Sequence, residues 1–428
     1  MREKLKVKSE KLKVTQQVRS LILHPLFSGS AIMILGTNLG NFLAYVYHLI
    51  IGRLLGPSSY GDLAASLSAL GLLSISFAFL GLVIVKFVSA AAETEKTKLF
   101  SWFFRKCFYI AVGMLLILLI LAPSIANFLH LPIKITLLFG PTMFFFVLGF
   151  FYKSFLQGLL KFKENVITTN ADVIFRLFFG VLFVILGFSA FGAVVGIFLG
   201  ALVSYFIGAY FLKEYKAKST GGLLPEGKAV LKYTLSVFLI SLTTNSFFSS
   251  DVILVKHFFS SYQAGIYASL STLGKIIFYG AGPVSAVMFP LIAQRHSRGL
   301  TYKKILTASI LVTLGIAGAI LTIYWLFPEL SVRALYGEKF TAAAQYLIWF
   351  GLFMLTFTIA NLIISFYLSI EKTSFVFIPP IFALAQVIGI ILYHETILEV
   401  IKVSLISASF LLVSLLIYLR YERTEAKI

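Results

Sequence analysis

Polar residues are so sparse along this chain that the breaks between apolar runs set its architecture more clearly than the runs themselves. A helix crossing about 30 Å of hydrocarbon needs about 20 mostly apolar residues, and twelve runs meet that requirement. In the first half they fall near 28–52, 61–85, 103–125, 134–156, 166–187 and 190–212. In the second half they fall near 233–254, 264–290, 304–327, 341–367, 374–393 and 398–419. Turn and charge signals separate them: Gly56-Pro57-Ser58-Ser59, Glu93 to Lys98, His130-Leu131-Pro132, Lys161 to Glu164 and Lys216 to Gly227. The last is the longest polar connector and lies close to the middle of the chain. The apolar–polar alternation of a membrane β-barrel strand does not persist anywhere. The pattern predicts an all-α polytopic membrane protein with twelve transmembrane helices.

Composition excludes a soluble protein. Of 428 residues, 59% are hydrophobic and only 12% are charged, against about 25% charged in an ordinary soluble chain. The 44 Phe and 20 Tyr suit side chains that meet lipid and its interfaces. A net charge of +19 could suggest a polyanion-binding surface, but the placement of the basic residues answers otherwise. The N-terminus, the even-numbered connectors and the C-terminus hold 28 of the 36 Lys and Arg. The odd connectors hold six: Arg53, Lys134, Lys256, Arg333, Lys339 and Lys402. This bias puts both termini in the cytoplasm of a multi-pass cell-membrane protein and supports an even number of spans. The charge is topology, and no nucleic-acid partner is expected. Seven basic residues within the first twenty form a tail that can lie against anionic membrane lipids. The stretch after it is too long for a signal peptide and continues into a span. The lone Cys107 excludes an internal disulfide or a cysteine-based metal cluster and reads as a small buried apolar residue.

An internal echo lies at an offset of 203 residues. Residues 65–71 read Ala-Ser-Leu-Ser-Ala-Leu-Gly and residues 268–274 read Ala-Ser-Leu-Ser-Thr-Leu-Gly, six of seven matching. The same offset carries Arg53 onto Lys256, each at the outer end of its half's first span. Chance similarity between two helices rich in Ser, Ala and Leu is the alternative to a duplication. Two copies that both start in the cytoplasm with six spans are related by an axis along the membrane normal. The expected organisation is a basic tail (1–27), a six-helix bundle (28–213), a cytoplasmic connector (214–232), a second six-helix bundle (233–420) and a short C-terminal tail (421–428).

The stretches GRLLGPSSYGDLAASLSALG (52–71) and DVILVKHFFSSYQAGIYASLSTLGKI (251–276), with FLQGLLKFKEN (155–165) and RALYGEKFTAAAQYLIWFG (333–351), resemble the Wzx-like polysaccharide flippases. That family belongs to the multidrug/oligosaccharidyl-lipid/polysaccharide (MOP) exporter superfamily. The resemblance covers nearly the whole chain and rests on the order and spacing of the four stretches. It implies two pseudo-symmetric six-helix bundles around a hydrophilic central cavity, and export of lipid-linked oligosaccharides by alternating access. The chain departs from the lipid II flippase branch, which has extra spans beyond twelve.

A charge inside hydrocarbon costs at least about 2.5–3.5 kcal/mol, so one that persists there faces a cavity or a partner. Asp172 and Arg176 are four residues apart in the fifth span, either as an intrahelical ion pair or as cavity-lining groups. Lys275, about eleven residues into the eighth span, has no sequence neighbour of opposite sign. One midplane cation from each half suits the diphosphate of a lipid-linked head group. Arg53 and Lys256 complete the candidate substrate-binding set. Asp251 and Asp62 are candidates for a coupling proton or sodium ion, or helix-end acids beside Lys256 and Arg53. Asn38, Asn41, Asn170, Asn245 and Gln157 could meet sugar hydroxyls or tie helices together. The six His show no metal spacing and read as solvated or interfacial. Gly282-Pro283 and Pro290 are candidate bends.

No enzymatic chemistry or cofactor is expected. Gly274-Lys275 lacks the upstream Gly of a phosphate loop, Ser269 standing there, and Ile276 follows instead of Ser or Thr. Three functions compete: a flippase for lipid-linked oligosaccharide, a cationic drug antiporter of the same superfamily, and a glycan-polymerising membrane enzyme. The antiporter needs an acidic cavity and the enzyme needs carboxylates on a large outer loop. The basic tail and central connector are the surfaces that glycan-assembly enzymes could use.

Overall fold

The computed structural model describes residues 25–217, 228–370, 372 and 374–425. Nearly all of the expected N-terminal tail and the middle of the expected connector lie outside the described residues. Among the described residues the chain is helical throughout, without a strand. The helices are α1 (Pro25–Ala90), α2 (Glu93–Leu129), α3 (Ile133–Leu137), α4 (Phe139–Gly158), α5 (Phe162–Phe183), α6 (Ser189–Phe211) and α7 (Lys213–Ala217). The second half adds α8 (Lys228–Phe258), α9 (Ser261–Ser297), α10 (Lys303–Leu326), α11 (Pro328–Tyr336), α12 (Ala344–Ser369), α13 (Ile378–Leu392) and α14 (Ile397–Glu425).

Ten runs among the described residues are long and apolar enough to cross a membrane, and two of them contain reversals. In Leu35–Ile75 the break is Gly56, whose φ of 70° is open to a residue without Cβ. Pro57 follows with its φ already suited to a helix start. Asn41 and Ala44 before the break share one cavity with Leu67 and Ser68 after it, so α1 is a hairpin. In Phe162–Phe211 the reversal is the turn Val184–Phe188, with Gly187 at φ 89°. There α5 and α6 lie against each other through Gly196 and Gly200. A Cβ at either would stand 2.5 Å from the α5 backbone, at Gly180 N and Asp172 O respectively. Small residues of this kind let helices approach in lipid, where apolar burial gives little net drive.

The first half packs α2 on α4, and α1 on α4 and α5. The second packs α9 on α12 and α10, and α14 on α12 and α13. The halves meet chiefly where the α1 hairpin lies against α8 and α9. The expected bends at Pro283 and Pro290 both lie inside α9, which remains one helix. One element escaped the apolar-run reading because it is short. Helix α11 starts at Pro328 and stops at Gly337, whose φ is 86°. It buries Val332 and Tyr336 and leaves Arg333 exposed.

Candidate functional site

A cavity of about 240 Å³ lies where the α1 hairpin meets α8 and α9. The repeated segment builds both of its walls: Ser68 and Ser271, equivalent under the 203-residue offset, both line it. Hydroxyls in these helices mostly satisfy themselves one turn back. Thr272 donates to Ala268 O at 3.1 Å, and Ser66 donates to Asp62 O at 2.8 Å. Two hydroxyls on the cavity wall break that habit. Ser271 Oγ and Tyr45 OH are buried without a hydrogen-bond partner, which costs about 1–3 kcal/mol for each such group. Lys275 is the one charged residue lining the cavity among the described residues. Its ammonium stands 5.4 Å from the centre of the Phe248 ring and forms no ion pair among the described residues. The acid whose charge acts on it is Asp251.

His48 also lines this cavity, which corrects the expectation of a solvated or interfacial histidine. Its Nδ1 is hydrogen-bonded to Tyr60 OH at 3.0 Å. Tyr60 in turn bonds Thr272 Oγ1 at 3.1 Å and Tyr336 OH at 2.9 Å. Burial pushes the Tyr336 phenol well above its ordinary pKa, so it stays neutral. The buried rings of Tyr60, Tyr336 and Phe340 pack on one another behind His48 and Thr272 of the cavity wall.

Beyond these rings the halves are fastened to each other reciprocally. Arg53 of the first half donates from Nε to Leu335 O at 3.0 Å, and from Nη2 to Ala334 O. It thus caps the C-terminal carbonyls of α11, where a cation is favoured. Lys256 of the second half is almost fully buried and pairs with Asp62 of the first at 2.7 Å, while donating to Ser261 Oγ at 2.6 Å. Between the two fastenings the backbones touch. A Cβ at Gly265 would stand 1.8 Å from Pro57 O, and one at Gly61 2.8 Å from Gly265 N.

Of the other predicted residues, all but Asn41 lie apart from the cavity lining. Arg176 pairs with Asp172 at 3.1 Å, as the four-residue spacing allows. Asp172 also takes Lys153 of α4 at 3.5 Å. Lys153 carries no signal of this in the sequence, because its partner is nineteen residues away. Arg176 still reaches the cavity wall electrostatically, since both it and Lys275 act on His48. Asp251 accepts from Tyr267 OH at 2.7 Å and Val252 N at 2.8 Å. Of the amides, Asn41 lines the cavity. Asn170 donates to Gly36 O at 3.1 Å and ties α5 to α1, Asn245 donates one turn back to Ser241 O, and Gln157 is exposed. Asn38, also in α1, is exposed.

Residues 26–296, more than half of the chain, match the family of polysaccharide biosynthesis proteins. The uncharacterized membrane protein MJ1375 of Methanocaldococcus jannaschii is 25% identical over 335 residues, covering 72% of this chain and 76% of that one. The lipid II flippase MurJ in an inward closed conformation superposes with a TM-score of 0.74 at 15% identity, over 91% of this chain and 87% of its own. An inward-facing multidrug resistance MATE family transporter of the MOP superfamily superposes with a TM-score of 0.71 at 12% identity, over 89% and 95%. At such identities the likeness is one of fold.

Proposed function

The chain belongs to the family of polysaccharide biosynthesis proteins, it is a multi-pass membrane protein with the fold of the MOP transporters, and from that premise we propose that it is a flippase. Its substrate in this reading is a polyprenyl-diphosphate-linked oligosaccharide, moved from the cytoplasmic to the outer leaflet by alternating access. The observation that carries the reading is the cavity chemistry. One unpaired ammonium, Lys275, stands among uncharged hydroxyl, amide and imidazole groups, two of whose hydroxyls lack a protein partner. A diphosphate needs a cation to replace its water, and sugars need hydroxyl and amide partners. A cationic drug would find no carboxylate on that wall among the described residues.

Dividing the two reversing runs at Gly56 and Gly187 turns ten spans into twelve, six in 28–213 and six in 233–420, with both termini cytoplasmic. The fastened end of the cavity is then the outer end, and this conformation is closed to the outside. Arg176, Asp172, Arg53 and Lys256 serve the substrate indirectly in this scheme, by shaping the cavity's field and its outer closure. A coupling proton or sodium ion would act at Asp62, where neutralising the carboxylate dissolves the bond to buried Lys256, or at Asp251 behind Lys275. Asp62→Asn is therefore expected to loosen the outer closure, read as faster labelling of a cysteine introduced at Ser68. Unchanged labelling would remove Asp62 from the gate.

The deciding experiment is mass spectrometry of lipids from cells depleted of this protein. A polyprenyl-diphosphate oligosaccharide trapped on the cytoplasmic side is the expected result. Unchanged lipid-linked sugars with new sensitivity to cationic drugs would replace the flippase by an antiporter.

A further inference from the structure

A second concavity lies on the far side of α9, outside the central cavity. It is an open apolar groove of about 550 Å³ between α9 and α10. Val287 and Leu291 on α9 and Val312 on α10 line its rim while 60%, 44% and 50% exposed, and buried Met288 and Ser309 form its floor, so the groove opens to the surroundings. Lys304 is its one ionisable lining residue among the described residues.

From its length and charge we infer that this groove binds one anionic phospholipid of the cytoplasmic leaflet, with an acyl chain between α9 and α10 and the phosphate at Lys304 and Arg295. Lys304 and Val312 mark the two ends of the groove on α10 and are eight residues apart, about 12 Å along a helix. That is close to one leaflet, half of the about 30 Å hydrocarbon thickness. Lys304 stands at the end that the orientation above puts at the cytoplasmic interface. Arg295 lies one turn beyond Leu291 on the same ridge of α9, its Nη1 donating to Thr301 O at 3.0 Å. No Asp or Glu occurs between Asp251 and Glu329, so no acid of this segment competes for the two cations. A phosphate there gains both charge and hydrogen bonds. The depth of one leaflet selects the occupant: an acyl chain fills it, whereas a polyprenol is longer than one leaflet. The inference rests on the proposed orientation and is independent of what the central cavity carries. The bound lipid braces the helix on which Lys275 is mounted.

Native mass spectrometry of the full-length protein tests this, with phosphatidylglycerol and phosphatidylcholine of identical acyl chains added in equal amounts. The expected result is one retained phosphatidylglycerol, preferred about tenfold over phosphatidylcholine. The preference should vanish in the double variant Lys304→Gln/Arg295→Gln and persist in Lys303→Gln, an exposed neighbour outside the groove. Ala308→Trp fills the groove from its exposed face and should lower retention of both lipids. Equal retention of the two lipids by the native chain would overturn the inference. So would a preference that survives both the double variant and Ala308→Trp, or displacement of phosphatidylglycerol by an equal amount of polyprenyl phosphate. Glycolipid transport can fail in cells with the phospholipid preference intact, so the two proposals fall separately.

Discussion

Each half of this protein carries a basic residue deep in its helices, and the two are treated in opposite ways. Arg176 is held by Asp172, which is itself shared with Lys153 from the neighbouring helix. Lys275 faces the cavity with an aromatic ring beside it and no ion-pair partner among the described residues. The first cluster is an ion-paired unit of two cations on one carboxylate, whose loss on removing the acid exceeds any gain from having it. The second leaves a charge whose compensation must come from elsewhere. In the proposed flippase, depth in the membrane does not by itself make a binding cation; the absence of a built-in counterion does.

The sharpest way to break this contrast is to remove the acid from the paired unit. Asp172→Ala strands Arg176 and Lys153 in low dielectric and is expected to cost about 3–5 kcal/mol, seen as a large fall in the melting temperature of the purified protein. Replacing all three residues together, Asp172→Asn with Arg176→Met and Lys153→Met, should recover most of that loss. A melting temperature unmoved by Asp172→Ala would mean that water reaches the cluster and the contrast is false. Lys275→Gln should behave in reverse. Transport of lipid-linked sugar is expected to fall at least about tenfold, about 1.4 kcal/mol, while the melting temperature holds or rises. A fall in both would make Lys275 structural. The smallest effect is expected from Phe248→Leu, which removes a ring face worth about 0.5–2 kcal/mol to the ammonium. Transport should drop a fewfold with Lys275 in place, and not at all in the Lys275→Gln background.

Much of this was legible in the sequence because lipid imposes a simple rule. Apolar run length marked the membrane-crossing helices, ten of them as unbroken runs among the described residues, and depth along the eighth run singled out Lys275. The echo at 65–71 and 268–274 marked the two walls of the cavity, which Ser68 and Ser271 share. What escaped depends on partners far apart in sequence. Lys153 meets its partner Asp172 only once α4 and α5 are packed together. Arg53 and Lys256 were read as substrate cations from their matching positions, yet the structure gives each a fixed partner in the opposite half. His48 carried no signal at all, because an isolated imidazole announces its role only through neighbours such as Tyr60.

The contact between Gly61 and Gly265 bears on how such a seam could part. No side chain crosses it, so separation there requires no rotamer to change and no knob to leave a hole. At that point the faces can part like smooth plates, and the resistance is concentrated on either side of it, in Arg53, in Lys256 and in Tyr60 with its bonds to Thr272 and Tyr336. Once those side-chain fastenings release, the glycine contact itself offers no further hold, and it recloses in the same register because backbone there meets backbone without choices to remake.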